Sequence, residues 1–169
     1  FVYRCINRLD RDTTGLTIVA KHALAGGILG NAVAKRAIHR TYYAVCSGCT
    51  PACMRISAPI ARKDASTIER CVDFKRGENA VTDFIRIKYN PDNNLSLVKL
   101  RLLTGRTHQI RVHMKYIGFP LIGDFLYNPD YTYISRQALH SGRLVFTHPV
   151  TGQKMNLISD IPSDMKSLF

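Results

Sequence analysis

The sequence has no long hydrophobic run and little negative charge. No apolar stretch approaches the roughly 18 residues that a membrane-spanning helix needs. The chain does not open on a basic stretch followed by an apolar one, as a secretory leader would. These absences predict a soluble, cytoplasmic protein without a membrane partner.

Negative charge is scarce because 12 Asp and Glu stand against 24 Lys and Arg, which gives a formal charge of +12. The isoelectric point of the sequence is about 9.8. An excess of this size on one domain is typical of proteins that meet phosphate backbones. The charge therefore predicts a nucleic acid as partner, with an anionic membrane surface as the weaker alternative.

The cysteines lack the pattern of a disulfide framework, since they are five in number and no secretory leader accompanies them. Reduced thiols are expected. Three of them lie in "CSGCTPAC" (46–53), whose spacing resembles part of a zinc site. Only Cys71 or His39 could supply a fourth ligand. The alternative, a turn of small residues that contains cysteines, is favoured, so no metal is predicted.

The length of 169 residues and a hydrophobic content of 46% predict one domain over 1–169 with a real core. The clearest pattern is a pair of alternating β runs, 80–89 and 95–104, separated by the turn cluster "NPDNN". A second hairpin is predicted from 138–149 and 153–158, and further strands at 16–21 and 39–48. The segment 50–79 is the least regular, with short strands near "RISAPI" and "IERCVDF".

Two helices are predicted between the strands. The first covers 22–38 and is weakened by three glycines. The second lies in "GRTHQIRVHMKYIG" and is expected to begin with Thr107 as N-cap and to end at Gly118. Its period places Ile110, Met114 and Ile117 on one face. "PSDMKSLF" is a short terminal helix or a tail. The fold class is therefore α+β with a mixed, mainly antiparallel sheet and a few flanking helices.

Asp10 is the strongest candidate for chemistry. It stands between Arg8 and Arg11 in "NRLDRDTTGL", where Thr13, Thr14 and Gly15 indicate a tight turn before an apolar run. Loops held by rigid strands often carry catalytic groups. This local pattern fits equally well with the alternative, in which Asp10 is a surface residue in a salt bridge with a sequence neighbour.

A second constellation is "TGRTHQIRVHM" (104–114). Arg106 stands where a strand gives way to a helix, so it could bind a phosphate or hold a carboxylate. His108 and His113 are five residues apart, which is not the one-turn spacing of helix metal ligands. In "HRTYYAV", Tyr42 and Tyr43 point to opposite faces of a strand, so one can be core and the other functional.

Six segments together resemble the RluA-type pseudouridine synthases, which isomerise uridine in RNA. They are "NRLDRDTTGLTIVAK", "HRTYYAVCSG", "APIARKD", "AVTDFIRI", "LLTGRTHQIRVHMKYIGFPLIGDFLY" and "LHSGRLVFTHPVTGQ", in the family's order from about residue 5 to about 158. The first and fifth are the most specific.

The resemblance implies a sheet of the pseudouridine synthase type and the following site. Asp10 matches the essential aspartate, Tyr42 the tyrosine that packs on the target base, and Arg106 the arginine that pairs with the aspartate. Arg8 matches an arginine that enters the RNA where the base has left, and Leu139 lines the pocket. Further RNA contacts are expected at Arg11, Arg40 and Arg111. No metal or organic cofactor is implied.

The resemblance also implies an RNA partner, ribosomal more often than transfer RNA, and the chain is expected to be a monomer. Two departures stand out. Asn7 replaces the family's usual His, which affects RNA contacts more than activity. Relatives carry a preceding strand segment, and many an RNA-binding S4 domain, so the chain is expected to be an N-terminally truncated catalytic domain. An inactive RNA-binding module and a zinc-stabilised interaction domain are the alternatives.

Overall fold

The computed structural model describes residues 2–64 and 68–169, and its centre is one sheet of seven strands. Six strands follow one another in the order β11-β10-β4-β9-β8-β5 and all these neighbours are antiparallel. The short β2 pairs with β10 and is parallel to it. The sheet is therefore mixed and mainly antiparallel, which confirms the predicted fold class. The strand bounds are β1 Arg4–Cys5, β2 Thr14–Gly15, β3 Val19–Ala20, β4 His39–Ser47, β5 Cys53–Ser57, β6 Ile60–Arg62, β7 Arg70–Val72, β8 Val81–Asn90, β9 Leu95–Leu102, β10 Leu139–Thr147 and β11 Lys154–Ile158.

The two predicted hairpins are confirmed. β8 and β9 pair antiparallel with Phe84 opposite Leu100, both buried. β10 and β11 pair antiparallel, with Leu144 opposite Leu157. Alternation of apolar and polar residues located β8, β9 and β10 because each has a buried face, whereas β11 is exposed apart from the half-buried Met155.

The helices differ from the prediction at their ends. α1 covers Ala23–Ala34 and stops four residues early because Arg36 adopts a left-handed backbone with φ of 56°. α2 covers Gln109–Tyr116, and its N-cap is His108, with φ of 56°, rather than Thr107. Gly118 follows α2 with φ of 86°, which confirms the predicted stop. α3 covers Ser163–Lys166 and confirms the terminal helix.

The strand predicted over 16–21 is reduced to β3, which pairs with β1 in a small separate sheet. Asn7 is the reason, since it binds this segment through its own polar groups. Its side-chain Oδ1 accepts from the Ile18 amide at 3.0 Å, and its carbonyl accepts from the Thr17 hydroxyl at 2.8 Å. Asn7 is 6% exposed. Asn7 is thus a buried residue that links the segment before Asp10 to Thr17 and Ile18.

The central sheet is covered on both faces, because alternate residues of β4 enter different clusters. Ala44 joins the cluster with Leu100, Ile110 and Met114, so α2 packs on this face. Val45 joins the cluster on the other face, which contains Met165 of α3. The functional site lies on the α2 side. Among the described residues, no helix is both long and apolar enough to cross a membrane.

Candidate active site

Asp10 lies in a loop that is fixed at both ends. Its carbonyl accepts a hydrogen bond from the Thr13 amide at 3.0 Å, and Asp12 between them has φ of 69°. The loop then enters β2, where Thr14 and Gly15 pair with His140 and Ser141 of β10. This attachment to the central sheet holds the Asp10 backbone in one place.

Gly15 permits the close approach of this loop to β10. Its φ is 100°, and a Cβ at this position would lie 2.3 Å from the carbonyl oxygen of Ser141. Neither the backbone angle nor the distance allows a larger residue. The glycine of "DTTG" therefore sets how near the Asp10 loop comes to the sheet.

The Asp10 carboxylate is paired with Arg111. Nη1 of Arg111 lies 3.4 Å from Oδ2 of Asp10, whose side chain is 23% exposed. Arg111 itself is 1% exposed and donates two hydrogen bonds of 2.7 Å to the fully buried Asp124. The bidentate pair with Asp124 therefore occupies Nε and Nη2 of Arg111, and the remaining nitrogen, Nη1, faces Asp10.

Aromatic rings complete the surroundings of Arg111. Its guanidinium carbon lies 4.9 Å from the ring centre of Tyr127 and 5.4 Å from that of Phe125. Burial disfavours the charge, but the hydrogen bonds and charge of Asp124 outweigh it and raise the pKa of Arg111 above its ordinary value. The cation behind Asp10 is therefore permanent.

The sequence prediction that Arg106 pairs with Asp10 is wrong in this structure. Arg106 donates instead to the carboxylate of Glu78 and to the carbonyl of Asn79, the latter at 3.0 Å. The physical reason is that Arg106 lies before α2, whereas Arg111 lies within it on the side that faces Asp10 and Asp124. Arg106 is 38% exposed at its side chain and stays available to solvent.

The loop that carries Arg106 is organised by Gln109, which is 2% exposed. Oε1 of Gln109 accepts from the Arg106 amide at 2.9 Å and from the Thr104 hydroxyl at 2.8 Å. Its Nε2 donates to the Val81 carbonyl and to the Thr82 hydroxyl, each at 3.0 Å. The Gln109 side chain therefore fixes the backbone just before the His108 N-cap.

Asp10 opens onto a cleft of about 740 Å³. Among the described residues that line it, Asp10 is the one carboxylate, and the cations are Arg8, Arg36, Arg40, Arg101 and Arg106. The cleft brings together six of the residues predicted from the sequence: Asp10, Tyr42, Arg106, Arg8, Arg40 and Leu139. A single acid in a strongly positive cleft is the arrangement expected where a polyanion is brought to a carboxylate.

Tyr42 forms part of the apolar wall of the cleft and is 5% exposed. Burial raises the pKa of its phenol above the ordinary value, although the charge of Arg40 opposes the shift. The ring is therefore neutral. Tyr43 packs in the cluster on the opposite face of the sheet, so the predicted alternation of the two tyrosines is confirmed.

Two predicted RNA contacts lie outside the cleft lining. Arg11 is exposed, pairs with Asp12 at 3.1 Å and stacks over Phe125 at 4.2 Å. Arg111 cannot reach RNA at the surface because its side chain is 1% exposed and saturated by carboxylates. The prediction of Arg111 as an RNA contact is corrected to a partner of Asp10.

The cysteines of "CSGCTPAC" diverge, since Cys46 is buried in the core while Cys49 and Cys53 are exposed. Across 2–64 and 68–169, no three His, Cys, Asp or Glu side chains are grouped as metal ligands would be.

Sequence reasoning missed Asp124 and the pairing role of Arg111. A signal was present in "LIGDFLY", where one carboxylate stands among apolar residues and hence needs a buried cation. For His108 the sequence favoured capping or packing over a metal-binding role, and His108 is the N-cap of α2. Its Nδ1 lies 2.9 Å from the Tyr127 hydroxyl, and burial lowers its pKa.

Comparison with known proteins identifies the family of this chain. The family model described as RNA pseudouridylate synthase matches residues 1–116. An uncharacterized RNA pseudouridine synthase, YjbO of Bacillus subtilis (strain 168), is 47% identical over 166 residues, which is 97% of this chain and 57% of that protein. Ribosomal large subunit pseudouridine synthase D of Zymomonas mobilis is 37% identical over 174 residues, covering 97% of this chain and 54% of that protein.

A solved structure, human RNA pseudouridylate synthase domain containing 1, superposes with a TM-score of 0.82 at 26% identity. It covers 94% of this chain and 69% of that one. The chain spans a little over half the length of the curated relatives it matches.

Proposed function

The chain belongs to the RNA pseudouridylate synthase family, and from that premise we propose that it isomerises uridine to pseudouridine in RNA with Asp10 as the catalytic carboxylate. The observation that carries this proposal is the placement of Asp10. It is the one acid among the described residues lining a cleft with five arginines, and a buried arginine stands behind it.

The reaction is balanced within the nucleotide. The bond between ribose C1′ and uracil N1 breaks, the base turns, and a bond from C1′ to C5 forms. The proton on C5 leaves and N1 ends with a proton, so no other reactant is consumed. Asp10 acts as a nucleophile, at C1′ or at uracil C6, or as a base toward the ribose. Each of these roles requires an ionised carboxylate.

Arg111 pairs with the carboxylate of Asp10 and fixes its direction. The bidentate pair with Asp124 prevents the guanidinium from moving with the substrate. Tyr42, neutral and buried, supplies a flat apolar surface against which an extruded uracil can pack. The chemistry is therefore performed between a fixed charge and a fixed ring.

Bringing a base out of an RNA stack costs a few kcal/mol, least in loops. The cleft arginines offset this cost by binding the flanking phosphates. We propose that Arg8 occupies the position that the base leaves, because it is exposed, lies two residues before Asp10 and lines the same cleft.

We further propose ribosomal RNA as the substrate, because relatives at 37–39% identity are named ribosomal large subunit pseudouridine synthases. Transfer RNA is the second candidate. We infer that the enzyme works in the cytoplasm, where these RNAs are, that residues 1–169 form one catalytic domain, and that this domain acts as a monomer.

Release of tritium from RNA labelled at uracil C5 tests the proposal, because C5 loses its hydrogen when it bonds to ribose. Labelled ribosomal and transfer RNA are incubated separately with the chain, and an RNA sample without protein gives the background. We expect release from ribosomal RNA. Binding of both RNAs with no release above background would identify an RNA-binding module and overturn the proposal.

A further inference from the structure

A second cleft, of about 510 Å³, lies beside the first. The two clefts share the segment 105–107, so a ridge of three residues is their common wall. The second cleft is lined by four arginines, Arg62, Arg70, Arg76 and Arg106, against two carboxylates, Asp64 and Glu78. Nothing in the reaction at Asp10 requires this second group of cations.

The two-stranded sheet of β6 and β7 places like charges together. Arg62 stands directly opposite Arg70 in the antiparallel register. Like charges at such positions destabilise a strand pair. Arg62, which is exposed, therefore brings its positive charge to the arginine-lined side of the second cleft.

The residues 60–64 and 68–78, which contain β6 and β7 and which we call the arm, are firmly attached to the active-site helix. The Arg70 amide donates to the Tyr127 hydroxyl at 2.9 Å, and the same hydroxyl lies 2.9 Å from Nδ1 of His108, the N-cap of α2. Ile60 of the arm and Val112 of α2 lie in one buried cluster with Tyr127. The cleft is therefore preformed, with little ordering cost on binding.

Arg106 lies on the shared ridge and lines both clefts. In the free chain it is paired with Glu78, whose side chain is 70% exposed. An exposed pair of this kind is weak and is easily exchanged for another anion. Phosphate is the anion that the first cleft already receives, under the function proposed above.

We propose that the RNA strand leaves the Asp10 cleft across the ridge 105–107 and that the arm cleft binds its flanking phosphates. In this complex Arg106 exchanges Glu78 for a phosphate, and Arg62 binds the next part of the backbone. The proposal rests on the function proposed above for its choice of RNA as the polyanion. Because Glu78 and the RNA phosphate bind the same arginine, Glu78 competes with the substrate and lowers the affinity of the chain for RNA.

Binding of one probe tests the cleft: a fluorescein-labelled oligouridylate of about 16 nucleotides, the upper range of a single-strand site. Anisotropy is followed over a series of salt concentrations. Arg62→Gln is expected to weaken binding about three- to tenfold and to reduce the salt slope by about 0.7, the value for one phosphate contact on a single strand. Lys154→Gln, the same charge change on β11 outside both clefts, is the control. Equal affinities of these two variants would overturn the proposal.

The exchange of Arg106 is tested by Glu78→Gln. Removing the competitor is expected to strengthen binding about two- to fivefold, beyond the effect of Asp160→Asn, an exposed acid outside both clefts. The gain should disappear when Arg106→Gln is also present. A gain that persists without Arg106, or that Asp160→Asn reproduces, would contradict the exchange.

These binding results are independent of tritium release. If Arg62→Gln weakens RNA binding while the unaltered chain releases no tritium, phosphate binding in the arm cleft is supported and the isomerase function is contradicted. If tritium is released but Arg62→Gln binds RNA as Lys154→Gln does, the isomerase function is supported and phosphate binding in the arm cleft is contradicted.

Discussion

Two arginines near Asp10 differ sharply in what surrounds them. The guanidinium of Arg111 is buried against the fully buried carboxylate of Asp124, while Arg106 makes an exposed pair with Glu78. Loss of one partner from a buried pair leaves an uncompensated charge, whereas an exposed pair contributes little to stability. The two residues therefore have separable effects.

Arg111→Ala is expected to lower the free energy of unfolding by about 3–5 kcal/mol, since Asp124 would remain buried and unpaired. Arg106→Ala should lower it by less than about 1 kcal/mol. Urea denaturation of both variants measures the difference. Equal losses would contradict the assignment of Arg111 as the buried partner.

The same pair of residues shows where sequence reasoning stopped. The motif "TGRTHQIR" contains both arginines, and spacing alone does not say which one faces Asp10. That depended on where α2 begins, and the side chain of Gln109 delays its start to residue 109. Strand alternation predicted only that Tyr42 and Tyr43 lie on opposite faces. The family resemblance, and not the alternation, selected Tyr42, which lines the cleft.

At the scale of elements, the hairpin of β8 and β9 was predictable because local alternation determines both strands. The short strands were not. β2 exists only because Gly15 allows the chain to approach β10, and β3 is limited by the hydrogen bonds of Asn7. Both depend on contacts with residues remote in sequence, which a window of neighbours does not contain.

Gly15→Ala is expected to destabilise the fold by about 2–4 kcal/mol, because it adds backbone strain and a clash with the Ser141 carbonyl. It should also lower activity, since the Asp10 loop must move. Denaturation and tritium release measure the two effects.

Gly27→Ala in α1 is the matched control. No heavy atom lies within 4 Å of a Cβ there, so the change should raise the free energy of unfolding by about 0.5–1 kcal/mol through helix propensity. If Gly15→Ala and Gly27→Ala behaved alike, the close approach at β2 would not constrain the loop.

At the scale of the whole molecule, buried histidines connect stability to pH. Burial lowers the pKa of His113 and of His140. His113 lies 2.9 Å from both the Thr82 hydroxyl and the Ala58 carbonyl, and His140 lies 2.9 Å from the Thr14 hydroxyl. Both join the Asp10 side of the molecule to the sheet.

A histidine whose pKa is lower in the folded state than in the unfolded state opposes folding as the pH falls. The unfolded residue takes up its proton near pH 6.5, and the folded one only at lower pH. Stability should therefore be constant above about pH 7 and decline progressively below about pH 6.5. Thermal unfolding measured across this range tests it. The control variant His148→Gln changes a half-buried histidine in the turn after β10 and should show the same decline in stability. A melting temperature unchanged from about pH 7 to about pH 5 would contradict this account.

Among the described residues, the first cleft carries five arginines around one carboxylate, that of Asp10. Tritium release from C5-labelled ribosomal RNA, compared between Asp10→Asn and Asp12→Asn, tests the role of Asp10 most directly. Both changes remove one negative charge from the same loop, and Asn tolerates the left-handed backbone of residue 12. Asp10→Asn is expected to abolish release while RNA binding is retained, and Asp12→Asn to release tritium as the unaltered chain does. Release by Asp10→Asn near the rate of the unaltered chain would contradict the account.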